Sequence, residues 1–177
     1  TLYPDVQIQL NEYGANKVEE EVGGGMLDLG VVVLPMDEEQ FDVVPFLSEK
    51  HMLFVHHSHP LAGKESVEMK ELHDEDFILF SEDFALHDKI IDECRKAGFY
   101  PNIAYESSQW DFIGEMIGQN LGISIFPQSI SKKVNQDVVK AIPIINPTVP
   151  WNLGLITKKG RYESYAVREF KKMLDPR

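Results

Sequence analysis

Residues 102–128, NIAYESSQWDFIGEMIGQNLGISIFPQ, decide the reading of this chain. Residues 103–106 are short and extended. Ser107 and Ser108 then offer a helix cap, and Phe112, Ile113, Met116 and Ile117 recur at helical spacing. Asn120 and Gly122 close that helix, because Asn and Gly tolerate the left-handed backbone needed there. Gly118 weakens its last turn. Ile123, Ser124, Ile125 and Phe126 run as a buried strand that Pro127 ends. Strand, helix and strand in this order predict a βαβ unit with parallel strands. Ligands in open α/β sheets gather beyond the carboxyl ends of the strands. Here that edge carries Glu106, Ser107, Ser108 and Gln109 after one strand, and Pro127 and Gln128 after the other.

The same alternation continues outward in both directions. Residues 77–80 form a buried strand, and Ser81 is placed to cap the next helix. Leu86, Ile90, Ile91, Cys94 and Ala97 make the apolar stripe of that helix, and Gly98 stops it. Further back, residues 67–72 read as a short helix. Residues 41–46 and 52–55 read as two extended segments, and the β-branched run 29–34 suits a central parallel strand. Ala15, Val18 and Val22 mark a helix that Gly23, Gly24 and Gly25 end. Glu19, Glu20 and Glu21 read as its solvated face. The glycines follow a helix, whereas a phosphate loop precedes one. Residues 5–10 alternate, with Val6, Ile8 and Leu10 on one face, which predicts a half-buried strand. Toward the end, residues 138–145 and 151–157 are extended. Tyr165, Ala166, Phe170, Met173 and Leu174 mark a final amphipathic helix, with Arg168, Lys171 and Lys172 in its last turns. Strands alternating with helices throughout predict an α/β architecture with helices covering the sheet.

Composition narrows the function. At 177 residues the chain suits one domain or two small lobes. A chain of this size buries roughly 70% of its unfolded surface, so a core forms without staples. Cys94 is the single cysteine, which excludes an internal disulfide framework and fits a reducing, cytoplasmic compartment. No apolar run approaches the ~18 residues of a membrane span, and no signal-peptide pattern opens the sequence. Its opening residues read as part of something already folded, so the chain is expected to begin mid-domain. Lys and Arg total 17 against 29 Asp and Glu, a formal net charge of −12. Affinity for nucleic acid comes mostly from cations that neutralise phosphates. An acidic chain without a basic cluster lacks that source, so any DNA contact belongs to another segment of a longer chain.

Two motifs invite other chemistry. HHSHPLAG, residues 56–63, gathers His56, His57 and His59. On a strand His57 and His59 share a face while His56 points away, and a metal site needs three or four convergent ligands. A polar crossover ended by Pro60 is the plainer reading, and no metal or cofactor is expected. An enzyme is not expected either, since GxSxG, HExxH and P-loop patterns are all missing.

Five stretches in order, YPDVQIQL (3–10), GGGMLDLGVVV (23–33), HPLAG (59–63), KAGFYPNIAYESS (96–108) and GQNLGISIFPQ (118–128), resemble the LysR-type transcriptional regulators. The resemblance is to their effector-binding regulatory domain and covers nearly the whole chain. It implies two Rossmann-like α/β subdomains of the type II periplasmic-binding-protein kind, joined by two crossover strands near residues 54–59 and 150–155. Subdomain I is then 1–55 plus 156–177, and subdomain II is 56–155. It further implies a small effector, an organic acid by preference, in the inter-subdomain cleft. Other implications are a homodimer that becomes a tetramer at full length, and promoter DNA read only by a separate winged helix-turn-helix. On the resemblance, that winged helix and the regulatory domain's first strand and helix are expected outside this sequence. A periplasmic-type solute receptor for a small anion is the alternative, because it shares the fold.

Helix N-termini supply the expected anion contacts, through free N–H groups and a partial positive charge. One begins around Gly14 and Ala15, one near Ser81, and one at Ser107, Ser108 and Gln109. The resemblance makes Ser108 an effector contact, and adds Leu34, Pro35 and Pro127 as cleft-lining positions. Ser108 with Asp111 also reads as a plain cap pair. Ser81 reads better as a cap than as a contact. Trp110 and Cys94 read as packing residues.

Overall fold

A strand of sixteen residues, β2 (Phe41–His56), runs through both halves of the molecule. It belongs to a computed structural model that describes residues 3–174. The sequence predicts two extended segments here, parted by the polar residues 48–51. Side-chain polarity does not interrupt a backbone ladder, and the strand is continuous. The chain forms two units, Thr1–Ser48 with Asn152–Arg177, and Glu49–Trp151. β2 passes from the first to the second at Ser48, and β8 (Pro150–Lys158) returns at Asn152.

In the first unit, α1 (Ala15–Gly24) turns Val18 and Val22 inward, as their spacing requires. They meet Val32, Phe41 and Ile156 in a small core. Gly25, at φ 79°, ends the helix. β1 (Gly30–Val33) pairs antiparallel with β8, Gly30 opposite Ile156 and Val33 opposite Leu153. The expectation of a central parallel strand is therefore corrected: β1 ends the strand order, Val31 is exposed while Val32 is buried, and a β-branched run encodes neither position in the sheet nor the direction of the neighbour. Residues 5–10 are corrected as well. They form no strand, and Ile8 and Leu10 are 75% and 91% exposed. Alternation permits a half-buried strand, but a strand needs a ladder partner, and no described strand pairs with this segment. In α4 (Tyr165–Leu174) the buried residue is Val167, while Tyr165 and Met173 face outward.

The second unit has the larger core. β3 (Val67–Glu68) and a 3-10 turn, Met69–Leu72, replace the short helix expected at 67–72. β4 (Asp76–Phe80) pairs in parallel with β5 (Asn102–Ser107), and α2 (Ala85–Lys96) connects them. After β5 come α3 (Trp110–Gly118), β6 (Ser124–Pro127) and β7 (Val139–Ile145). β6 and β7 both pair antiparallel with β2, and β7 pairs in parallel with β3. β5 and β6 are thus not neighbours. The strand order places β4 between them, with Ile123 bridging Phe77 in parallel. Phe54, Phe77, Leu53, Ile78, Ile90, Ile113, Ile117 and Phe126 are all fully buried here. Each such side chain stabilises the fold by roughly 1.5–3 kcal/mol. Phe54 and Phe80 both meet the Phe126 ring edge-on, at centroid distances of 5.2 and 5.8 Å. On α3 the buried stripe is Ile113 and Ile117, four residues apart, and Phe112, one step round the helix, is 54% exposed.

Candidate functional site

The carboxyl ends of β4, β5 and β6 come together at one edge of the second unit. β4 and β5 are in parallel register, with Phe80 opposite Ser107. The Ser81 amide donates to the Ser107 carbonyl at 3.2 Å, so these two serines leave the sheet side by side. Gly122 aligns the third strand. A Cβ there would come within 2.6 Å of the Asp76 carbonyl oxygen, so only glycine lets the chain pass. The Ile123 amide then donates to that carbonyl, and the Ile123 carbonyl accepts from the Ile78 amide, both at 2.8 Å. β6 consequently delivers Pro127 and Gln128 at the same edge.

The capping expected of the serines is corrected. α2 starts at Ala85 with Phe84 as its N-cap and no side-chain cap, so Ser81 lies too early to serve. Its carbonyl instead accepts from the Phe84 amide at 3.0 Å. At α3 the N-cap is Gln109, without a side-chain cap. Ser107 Oγ accepts from the Gln109 amide at 3.1 Å, a hydroxyl turn one residue ahead of the helix. Asp111 Oδ1 accepts from the neighbouring Phe112 amide at 3.0 Å instead of reaching back to Ser108. The Ser108 hydroxyl is exposed and makes no hydrogen bond to any described residue. Two adjacent serines look alike in sequence. Only the turn geometry decides which hydroxyl is committed to the backbone.

The local charge is mixed. The N-terminus of α3 carries about half a positive charge, and the Lys133 ammonium lies 5.6 Å from the Trp110 ring centroid. Asp111 in the first turn partly offsets both. Behind Pro127, and opposite it in register, lies His51, 1% exposed. His51 Nδ1 is 3.2 Å from the Val149 carbonyl, and Nε2 is buried with no partner among the described residues. Burial holds this imidazole down at about 4. His87, also buried, places Nε2 3.2 Å from Glu106 and Nδ1 3.1 Å from Asp88. Neither histidine is legible in the sequence as a buried group, because both sit in polar stretches.

Gly14, Ala15, Leu34 and Pro35 belong to the first unit. Gly14 is the N-cap of α1, and its carbonyl accepts from Lys17 and Val18, each at 3.1 Å. The Leu34 amide donates to the Asn152 carbonyl at 2.8 Å, and its side chain lies over Gly154. Pro35 is exposed and follows a cis peptide bond. The histidines of 56–63 are engaged with protein groups. His56 Nδ1 is 2.7 Å from Ser58 Oγ, and His59 caps the 3-10 turn Pro60–Gly63 while its Nε2 is 3.2 Å from Glu75. No group of three or more metal-ligating side chains converges among the described residues. No described helix is long and apolar enough to cross a membrane.

Residues 1–177 match the family described as LysR substrate binding domain. The chain belongs to that family. It is 51% identical over 166 residues to the uncharacterized HTH-type transcriptional regulator YwbI of Bacillus subtilis strain 168, covering 94% of this chain and 55% of that protein. This LysR-family chain spans about half the length of the curated relatives it matches. Among solved structures it resembles the regulatory domain of Synechocystis PCC6803 CcmR in complex with 2-PG, with TM-score 0.87 and 20% identity over 98% of this chain and 84% of that one. The effector binding domain of QuiR in complex with shikimate aligns with TM-score 0.84 and 21% identity, over 98% and 82%. The shared fold is the type II periplasmic-binding-protein kind, with two Rossmann-like subdomains and two crossover strands.

Proposed function

We propose that this LysR-family domain senses a small effector for a cytoplasmic transcriptional regulator and is not an enzyme. The observation that carries the reading is the edge where β4, β5 and β6 end. It presents an exposed, uncommitted Ser108 hydroxyl beside the first-turn amides of α3. The amides and Lys133 favour an organic acid as effector. Gly14, Ala15, Leu34 and Pro35 are carried as further contacts on the family resemblance alone. The ligands in the CcmR and QuiR structures support a small molecule as the class of partner.

The regulator acts as a homodimer of this domain, tetrameric at full length, and reads promoter DNA through a winged helix-turn-helix segment. Effector binding shifts the equilibrium between two arrangements, and a coupling of about 1–3 kcal/mol changes promoter affinity about 5- to 150-fold. The effector must prefer one arrangement, since equal affinity for both shifts nothing.

A thermal-shift screen with small organic acids and neutral metabolites tests the reading. Saturation at 100 times the dissociation constant adds about 2.7 kcal/mol of stability. The expected result is a shift with an acid that is lost in Ser108→Ala while the unliganded melting temperature holds. A shift with neutral compounds alone removes the organic-acid assignment. Sedimentation showing only monomer at high micromolar concentration removes the homodimer.

A further inference from the structure

The first unit contains a basic cavity remote in sequence from every residue of the effector edge. About 440 Å3 in volume, it is lined by Gly24, Gly25, Lys158, Lys159, Gly160 and Arg161. The chain carries 29 acidic residues against 17 basic ones, yet the cations here are left almost unneutralised. The Lys158 ammonium forms no hydrogen bond or ion pair with a described residue, and Lys159 forms no ion pair with a carboxylate among the described residues. Among the described residues the carboxylate partner of Arg161 is Asp28, at 4.0 Å.

Neutral groups hold two of these side chains. Arg161 Nη1 donates to the Leu27 carbonyl at 3.3 Å, and Lys159 Nζ to the Glu38 carbonyl at 3.4 Å. Carbonyl acceptors orient a cation without cancelling its charge. One opposing charge shares the wall, the C-terminal end of α1 at Gly24 and Gly25. It amounts to about half a negative charge, and the turns after the helix satisfy part of it. The Glu21 carbonyl accepts from Met26 and Leu27, and the Val22 carbonyl from Gly25. Three full positive charges outweigh it. Arg161 packs against Gly25, where a Cβ would come within 3.1 Å of Nη1, so glycine leaves room for the guanidinium at the helix end. Gly24 and Gly160 have open space where a side chain would start, which keeps the cavity clear.

We infer that the cavity formed by Lys158, Lys159, Gly160 and Arg161 against Gly24 and Gly25 binds a multiply charged oxyanion, a phosphate or polycarboxylate group. The inference is independent of the effector edge, because none of its residues belongs to that edge. A planar guanidinium and two mobile ammonium groups recognise phosphate or carboxylate oxygens by charge-assisted hydrogen bonds.

The test follows amide resonances of the 177-residue chain during titration with inorganic phosphate, tripolyphosphate and citrate, with chloride at matched ionic strength as the control. Saturable shifts at Gly24, Gly25 and Gly160 are expected with at least one of the three anions. In Lys158→Ala/Lys159→Ala the affinity falls by roughly tenfold or more. Response to phosphates alone or to citrate alone assigns the oxyanion class. Shifts that never saturate, that chloride reproduces, or that the double variant retains overturn the inference. If the double variant fails to fold, Lys158→Ala alone is decisive, because that ammonium has no hydrogen-bond or ion-pair partner among the described residues to lose.

Discussion

The ring of His51 meets the ring of Trp151 edge-on, with centroids 5.2 Å apart and planes at 68°. His51 follows the point where β2 enters the second unit, and Trp151 precedes the point where β8 leaves it. The imidazole is held neutral by burial and by Lys89, against the opposing pull of the Val149 carbonyl and Glu93. An unfolded histidine takes up a proton near 6.5, whereas His51 in the fold does so at about 4. Between those values the unfolded chain binds a proton that the folded chain refuses, so stability falls as pH falls through that window. The loss attributable to His51 between about pH 7.5 and about pH 5 is on the order of 2 kcal/mol. Urea unfolding of the parent and His51→Phe at both pH values measures it. The parent is expected to lose more stability on acidification than the variant, and equal losses refute this account.

The two serines before α3 separate cleanly by substitution. Ser107→Ala removes the acceptor of the Gln109 amide and is expected to cost about 0.5–1 kcal/mol. Ser108→Ala removes no bond and is expected to stay within about 0.5 kcal/mol. Chemical denaturation of both variants measures the difference. A larger loss in Ser108→Ala than in Ser107→Ala contradicts the assignment of the turn.

Gly122→Ala is expected to destabilise by about 1–3 kcal/mol or more, because the new methyl group would sit 2.6 Å from the Asp76 carbonyl oxygen. The clash displaces Ile123 from β4 and therefore moves Pro127 and Gln128 away from Ser81 and Ser107. Thermal unfolding reads the stability, and loss of effector response in the still-folded variant reads the displacement. An alanine variant as stable as the parent would show that the strand can shift without cost.

Cys94 is fully buried on α2, and burial together with the Glu93 charge pushes its thiol up to about 12. The thiolate is the reactive form. Native protein is therefore expected to resist thiol reagents and peroxide, and to react promptly in urea. Mass spectrometry after timed exposure measures this. Rapid modification of the folded chain contradicts it.

Much of the architecture is legible in the residues themselves. Val18 and Val22, Ile90 and Cys94, and Ile113 and Ile117 are four-residue pairs that each fix the buried side of a helix. Gly25 and Gly98, both with positive φ, follow the ends of α1 and α2, where glycine in the sequence marks a stop. The features that elude the sequence depend on partners. Residues 5–10 alternate like a strand, yet alternation contains no information about a ladder. Phe112 is as apolar as Ile113 but lies one step off the packed stripe. At the candidate edge, the order of β4, β5 and β6 comes from an isolated bridge between Phe77 and Ile123, which no local pattern encodes. The buried state of His51 and His87 likewise depends on Trp151 and Glu106, both distant in sequence.

The passage of β2 and β8 between units bears on how the chain is made. The second unit is one continuous segment, Glu49–Trp151, and carries its own core. The first is discontinuous, and β1 waits for a partner strand more than a hundred residues downstream. During synthesis from the N-terminus, the second unit is complete while the first still lacks β8 and α4. Contacts of such long sequence separation form late, because loop closure must precede them. The first half of the smaller core therefore emerges from the ribosome early and is sealed last. The exposed Val18, Val22 and Phe41 of that interval are the surface a chaperone has the longest time to meet.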